Sequence, residues 1–388
     1  MHLVLPLGGR GTRLLPHTRT RPKALLRLAG DTVLGHVLAR LAGLRFERTT
    51  VVVSPDGGAV EDWLRQSLAL GGGAHRGFRP GALDVVLQPE PLGQSQALAL
   101  VADGLIGETL IVFADTLFEV DWSDVVGQTD GLDGHLFVQR VPDPSAYGVA
   151  LLREDGTVAS LIEKPTEPVS DLALLGVYHL RDGAALADAV RAQLDRGTTL
   201  GGEAYLADAL TLLIQGGARL GTAPVGVWED CGRPAEVISA QRYLLSSAWD
   251  AGQAPGGPDW LREPSALAAA YPNCSFLPPV AVAPDAALSG SVIGPRVVIG
   301  PGARVASSVL GPEVLVEPGA VVENSLVGPF VSLGAGSRGL SARMSDVILG
   351  VGAEVREAGL EASILSPGAK ARGQAARLGL GEGETWDV

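Results

Sequence analysis

Three glycines, Gly8, Gly9 and Gly11, follow the apolar run from His2 to Leu7 and are interleaved with Arg10, Thr12 and Arg13; Pro22-Lys23 lies a short way on. A turn stripped of Cβ atoms lets backbone N–H groups approach an anion, and Arg13 and Lys23 add mobile positive charge. The first thirty residues carry five arginines and one lysine but no Asp or Glu, in a chain whose formal net charge is -13. Positive charge gathered into one loop of an acidic chain reads as a polyanion site. Lysine is scarce elsewhere: Lys23, Lys164 and Lys370 stand against 27 arginines. Two of the three lie in chemistry-bearing segments, where a compact ammonium does what a planar guanidinium does not.

A second candidate is Asp115, at the end of the apolar run Ile111-Val112-Phe113-Ala114. A carboxylate there sits at the carboxyl edge of a sheet and suits Mg²⁺, which takes one or two carboxylates together with phosphate oxygens and water. A lone strand-end Asp is also a common cap or turn residue. Gln88, before Pro89, carries an amide that can both donate and accept, or simply ends a strand before a turn.

The loop fits neither the dinucleotide pattern G-x-G-x-x-G nor the P-loop pattern G-x-x-x-x-G-K-[ST]. Its G-G-x-G-T-R-L-x-P-x-T followed by P-K resembles the signature of the sugar-phosphate nucleotidylyltransferases, which make nucleotide sugars. The stretch from Asp171 to Tyr178 is similar to the long-form glucose-1-phosphate thymidylyltransferases in particular. The resemblance implies roles in chain order. Leu7, Gly8, Gly9, Gly11, Thr12, Gln88 and Gly93 would take the nucleotide, with Arg13 on its β- and γ-phosphates. Lys23 and Lys164 would bridge the reacting phosphates. Tyr147, Gly148, Glu163, Gly176, Tyr178 and Glu203 would take the sugar, although Glu203 reads equally as the first-turn acid of a following helix. Trp228-Glu229-Asp230-Cys231-Gly232-Arg233-Pro234 supplies Asp230 as a partner to Asp115 for Mg²⁺. The implied reaction joins NTP and sugar 1-phosphate into NDP-sugar and pyrophosphate, with dTTP or UTP and glucose 1-phosphate as substrates. A mannose-1-phosphate guanylyltransferase-like enzyme and a non-catalytic nucleotide-sugar-binding paralogue are the alternatives.

Some positions depart from the family pattern. Leu7 replaces an Ala, Ala114 a Gly, and Gln94-Ser95-Gln96 the usual small or apolar residues, all beside the nucleotide pocket. His17 replaces a Leu and is expected to pack against the loop.

The elements that must position these groups are legible as alternation. Strands are expected at 2–7, 49–54, 84–88 and 109–113, with helices at 32–44, 58–70 and 95–103 between them. This is the pattern of a doubly wound sheet, Rossmann-like, with ligands at the carboxyl ends of its strands. Runs at 134–140, 147–153, 158–163 and 172–180 read as a mixed-sheet extension on the sugar side. After residue 274 the signature changes: Val292-Ile293-Gly294-Pro295, Val309-Leu310-Gly311-Pro312 and Leu326-Val327-Gly328-Pro329 recur every 17 residues. Aliphatics advance there in steps of six, six and five, resembling the left-handed parallel β-helix of hexapeptide-repeat proteins. An excess of five residues before Leu349-Gly350 implies a small loop projecting near Arg338 to Met344.

The expected organisation is a nucleotidyltransferase domain at 1–247, a linker at 248–273, a β-helix at 274–372 and a tail at 373–388. At 388 residues and 46% apolar content the chain can bury two cores. Cys231 and Cys274 are too few for a disulfide framework or zinc site. The acidic balance argues against nucleic acid, and no apolar run is long enough to span a membrane. A cytoplasmic protein without signal peptide is expected, assembling into a homo-oligomer through the β-helix. An acyltransferase role for that β-helix lacks a His base, since His2, His17, His36, His75, His135 and His179 all precede it.

Overall fold

Buried aliphatic strands and amphipathic helices alternate as expected in the computed structural model, which describes residues 1–9, 11–70, 77–127, 131–250, 256–257, 259–373 and 378–387. Arg10 and His75 lie outside the described residues, as do parts of the expected linker and tail. The chain divides into two units. One comprises Met1–Arg10 and Val33–Glu229; the other comprises Gly11–Thr32 and Asp230–Val388. The second unit therefore takes most of the signature segment away from the domain to which its sequence position assigns it.

The first unit opens on β1 (His2–Leu7), whose Leu3, Val4 and Leu5 are fully buried. A strand covered on both faces must be apolar at successive positions, which is the composition of a central parallel strand. The short pair β2 (Arg27–Leu28) and β3 (Asp31–Thr32) belongs to the second unit. Then follow α1 (Val33–Arg40), β4 (Arg48–Val53), α2 (Gly58–Leu70), β5 (Ala82–Leu87), α3 (Gln94–Ala99), β6 (Thr109–Val112) and β7 (Thr116–Glu119). β6, β1, β4 and β5 are neighbours in that order and all parallel.

Past β7 the connections shorten and the sheet turns antiparallel. It continues through β8 (Gly134–Arg140), β9 (Gly148–Leu152), β10 (Val158–Glu163) and β11 (Leu172–Leu180). β11 pairs antiparallel with both β6 and β8, and so joins the extension to the parallel half. After α4 (Gly183–Asp195) and α5 (Leu206–Gln215), β12 (Leu220–Pro224) adds in parallel to β8. β13 (Val227–Asp230) pairs with β7. The core beneath this sheet gathers Val4, Val52, Ile111, Leu136, Val138 and Tyr178 against Leu98, Leu186, Val190, Leu206 and Leu210 of the helices.

The second unit carries α6 (Pro234–Asp250), α7 (Pro264–Ala270) and a parallel β-helix consistent with the left-handed type. Val282, Ile299, Val316 and Leu333 stack on one face, and Ile293, Leu310 and Val327 on the next. Val305 and Val322 stack on the third, and all of these side chains enter one core.

The expected projecting loop near Arg338 to Met344 does not form. Arg338–Leu340 and Arg343–Leu349 are strands, with Met344 stacked on Val327 and Leu349 on Leu333. Leu349-Gly350 therefore continues the column of Leu333-Gly334. Val327-Gly328 and Leu349-Gly350 stand at different corners of the triangle, so their separation holds no insertion. Gly311-Pro312 and Gly328-Pro329 are followed at that corner by Ser345-Asp346, with Asp346 in left-handed backbone at φ 54°, and the coil loses a residue. The strands also run into the stretch read as a tail: Gly379–Leu380 pairs with Ile364-Leu365, and Thr385–Asp387 with Lys370–Arg372. Within the stretch read as a linker, Leu267 of α7 lies in the β-helix core.

Candidate active site

Within the first unit the carboxyl edge of the sheet collects one charged cluster. Glu163 ends β10, and Lys164 follows it in left-handed backbone at φ 45°, its N–H donating to the Tyr147 carbonyl at 3.0 Å. A non-glycine residue in that conformation costs free energy and persists where the surroundings hold it. The Lys164 ammonium donates to the Tyr205 phenol oxygen at 2.7 Å and lies 4.3 Å from the centre of that ring. It is 3.7 Å from the Glu163 carboxylate. Burial raises the Glu163 carboxyl above the usual carboxylate range; the Lys164 charge opposes this, while Asp208 and Glu203 add to it. Burial likewise raises Asp208. Tyr178 is fully enclosed, and burial, followed by the charges of Glu163 and Asp115, pushes its phenol up.

Two glycines keep this cluster open. A Cβ on Gly148 would stand 2.8 Å from Glu163 Oε2, and one on Gly176, at φ 78°, would stand 2.5 Å from the Phe113 ring. Tyr147 meets Trp228 edge to face with ring centres 4.8 Å apart. The Trp228 indole N–H is buried with no acceptor among the described residues. Glu203 is not a first-turn acid: α5 begins at Leu206 with Asp208 in its first turn, and Glu203 instead bridges to Leu200 and hydrogen-bonds towards Tyr205.

On the nucleotide side, Leu7 and Gln88 are buried at the ends of β1 and β5. The Gln88 amide nitrogen donates to the Gly93 carbonyl at 3.1 Å and to Gln96 Oε1 at 2.6 Å. Its oxygen lies where a Gly8 Cβ would be. Gln88 thus braces the loop between Gly8 and Gly93. Gly93 has φ 105°, and a Cβ on it would strike the Ala204 backbone at 2.5 Å. The loop is held there by Ala204 N–H donating to the Leu92 carbonyl at 2.8 Å and Ser95 N–H to the Ala204 carbonyl at 3.0 Å. Asp115 is half-buried between β6 and β7, and Thr116 Oγ1 approaches its carboxylate at 3.4 Å.

The second unit holds Gly11, Thr12, Arg13, Lys23 and Asp230. Gly11 takes φ 60°, and the Thr18 hydroxyl donates to its carbonyl at 2.7 Å, so the turn closes on itself with the Lys23 stem nearby. Arg13 is exposed in a short 3₁₀ turn whose Leu14 is fully buried. Asp230 precedes Gly232, where a Cβ would stand 3.1 Å from its carboxylate. His17 does not pack within its own loop. It is buried against the β-helix and hydrogen-bonds Ser366 Oγ at 2.8 Å.

Sequence reasoning left Tyr205, Gln96 and Trp228 off the list of site residues. Tyr205 and Gln96 act through partners 41 and 8 positions away, a relation that no local spacing reports.

The family described as nucleotidyl transferase matches residues 3–247. Among curated proteins, glucose-1-phosphate thymidylyltransferase of Streptomyces antibioticus is 32% identical over 250 residues, covering 63% of this chain and 66% of that protein. The bifunctional protein GlmU of Methanococcus maripaludis is 26% identical over 248 residues, covering 63% and 55%. The match thus spans less than two thirds of the length of either relative. Among solved structures, a Bacillus anthracis protein described as a glucose-1-phosphate thymidylyltransferase in complex with a sucrose superposes with a TM-score of 0.53 at 21% identity, over 63% of this chain and 95% of that one. A UDP-glucose pyrophosphorylase complexed with UDP-glucose gives 0.53 at 22%, over 63% and 98%. These likenesses establish the fold of the first domain.

Proposed function

The chain belongs to the nucleotidyl transferase family, and on that premise we propose that it joins a nucleoside triphosphate, dTTP or UTP, to glucose 1-phosphate and releases pyrophosphate. The observation that carries the reading is the cluster of Glu163, Lys164 and Tyr205 beside the open face of Gly148. A buried carboxylate can accept from two sugar hydroxyls, while the adjoining ammonium neutralises the sugar phosphate. The buried Trp228 N–H is a donor that a bound hydroxyl would satisfy. The thymidylyltransferase relatives and the pyrophosphorylase structure support the choice of pyrimidine nucleotide and glucose.

An oxygen of the sugar phosphate attacks the α-phosphorus in line. A new P–O bond forms as the bond to the β-phosphate bridging oxygen breaks, and pyrophosphate carries away the electron pair. The monoester is already an anionic nucleophile, so the protein's task is to bring two polyanions together and stabilise the charge that develops on the leaving group. Arg13 serves the β- and γ-phosphates, and Lys23 and Lys164 the reacting ones. Asp115 and Asp230 fit Mg²⁺ by donor chemistry, since half-buried carboxylate oxygens are the ligands this ion takes alongside phosphate. Bound there, it would neutralise charge on the phosphate oxygens. Gln88 orders the base-side loop through Gly93 and Gln96.

The β-helix is proposed to mediate homo-oligomer formation: Val292, Val309 and Leu326 stack in register and stand 38%, 44% and 45% exposed.

The test is Mg²⁺-dependent pyrophosphate release from dTTP, UTP, GTP, CTP and ATP, each paired with glucose, galactose, mannose and N-acetylglucosamine 1-phosphates. Release with dTTP or UTP and glucose 1-phosphate, abolished in Asp115→Ala, is the expected result. Release confined to GTP with mannose 1-phosphate would replace the substrates, and silence across the panel from folded protein would point to a binding paralogue.

A further inference from the structure

One glycine corner column of the β-helix carries two buried polar side chains. From the strand register, Ile299, Val316, Leu333, Leu349 and Leu365 stack, so the residues after them, Gly300, Glu317, Gly334, Gly350 and Ser366, stack as well. Glycine suits the corner because successive coils approach closely there. A Cβ would lie 3.0 Å from the Val316 carbonyl at Gly300, 2.7 Å from the Leu349 carbonyl at Gly334 and 2.5 Å from Pro367 N at Gly350. Only Glu317 and Ser366 place a polar side chain in this column, and both are more than nine-tenths buried.

Each of the two exceptions reaches the signature segment. Glu317 accepts from Arg27 Nη2 at 2.8 Å, and the same nitrogen donates to the Gly30 carbonyl at 2.7 Å. Ser366 meets the ring of the buried His17. Around them the segment is laid along the last coils: Arg19 donates to Glu384 at 2.9 Å, Thr20 donates to Glu382 at 2.6 Å, and Gly30 abuts Leu315. The peripheral pairs are exposed and contribute little. The half-buried Arg27–Glu317 pair and the buried His–Ser contact are the ones whose geometry is constrained.

We propose that Glu317 and Ser366 are positioning residues that fix the segment Gly11–Thr32, and with it Arg13 and Lys23, on the β-helix, so that the solenoid sets how tightly a nucleoside triphosphate is held. This rests on the reading of Arg13 and Lys23 as phosphate-binding groups. It gives the β-helix a part in substrate binding distinct from assembly.

The test replaces both exceptions by the column's own residue, Glu317→Gly with Ser366→Gly, in the full chain. The solenoid corner then conforms to its neighbours while the segment loses both anchors. Amide hydrogen exchange across 11–32 and calorimetric Kd values for Mg·dTTP, Mg·UTP and glucose 1-phosphate are compared with wild type. Exchange in the segment is expected to quicken and the triphosphate Kd to rise at least about tenfold, within what the loss of one charge-assisted and one neutral hydrogen bond to the anchor supplies. The glucose 1-phosphate Kd should stay unchanged, and Ser366→Thr, which keeps the hydroxyl, should hold the Ser366 anchor. Exchange at the wild-type rate, an unchanged triphosphate Kd, or equal weakening of both ligands would overturn the proposal. Should the double variant unfold, Glu317→Gln, which removes the charge and keeps the shape, is read in the same assays by the same criteria. A wild-type protein that binds no triphosphate overturns the phosphate reading itself, whereas equal binding by wild type and variant overturns only the positioning.

Discussion

Lys164 combines an unfavourable backbone conformation with a side chain that is 43% exposed, which is what its proposed role at the sugar phosphate asks of it. Truncating it removes the contact to Tyr205 but uncovers little apolar surface. Lys164→Ala is therefore expected to lower turnover by about 10²–10³, the usual loss when a group stabilising developing charge is removed. The melting temperature should move by no more than about 2 °C, since surface changes are worth roughly half a kcal/mol. Steady-state kinetics beside a thermal melt reads both, and a shift as large as a core variant's would contradict the assignment. Gly148, Glu163 and Lys164 were legible as a motif because their chemistry is local. The place of Tyr205 was not, because a phenol meets that ammonium only after β10 and the approach to α5 have packed.

At the scale of elements, the strands were legible wherever burial on both faces forces an apolar run. β1, β8 and β11 lie where the pattern put them, and the half-exposed edge strand β10 was legible by the turn residues around it instead. The loop from Leu92 to Ser95 was not legible as a brace, since its partners come from Ala204. Its geometry depends on Gly93, where positive φ and the approach of the Ala204 backbone coincide. Gly93→Ala is expected to destabilise the protein by about 1–3 kcal/mol. Gly58→Ala, in the first turn of α2 with nothing within 4 Å, should be neutral or slightly stabilising. Denaturant midpoints for the two variants make the comparison.

For the molecule as a whole, the signature segment is tied to residues 290 to 365 positions later, and one of those ties titrates. Burial holds the His17 imidazole below its ordinary value of 6.5, against the pull of Glu384 and a hydrogen bond to the Leu380 backbone. Arg19, paired with Glu384, is the neighbouring cation. A folded-state pKa below the unfolded one means that the unfolded chain takes up the proton first. The stabilisation is thus complete above pH 6.5 and lost as pH falls through the folded value. Urea unfolding at pH 7.5, 6.5 and 5.5 should show the wild-type midpoint falling relative to that of His17→Gln as pH is lowered, a difference that cancels the opposing carboxyls Glu163, Asp208 and Glu317, which burial raises. His2, also held low by burial, contributes in the same direction and leaves a residual slope.

Composition and periodicity alone determined that a Rossmann-like sheet precedes a β-solenoid, because burial imposes a period on each and the periods differ. The charge and glycine spacing of the opening loop marked Arg13 and Lys23 as candidates for phosphates, and the family resemblance marked Glu163 as a candidate for the sugar. Only the tertiary structure decided that Gly11–Thr32 packs with the solenoid, that no loop projects near Arg338, and that Gln88 braces its own loop. The reason is range: a period or a motif records what a residue requires of its neighbours along the chain. His17 with Ser366, Arg27 with Glu317 and Lys164 with Tyr205 are joined by packing across the fold.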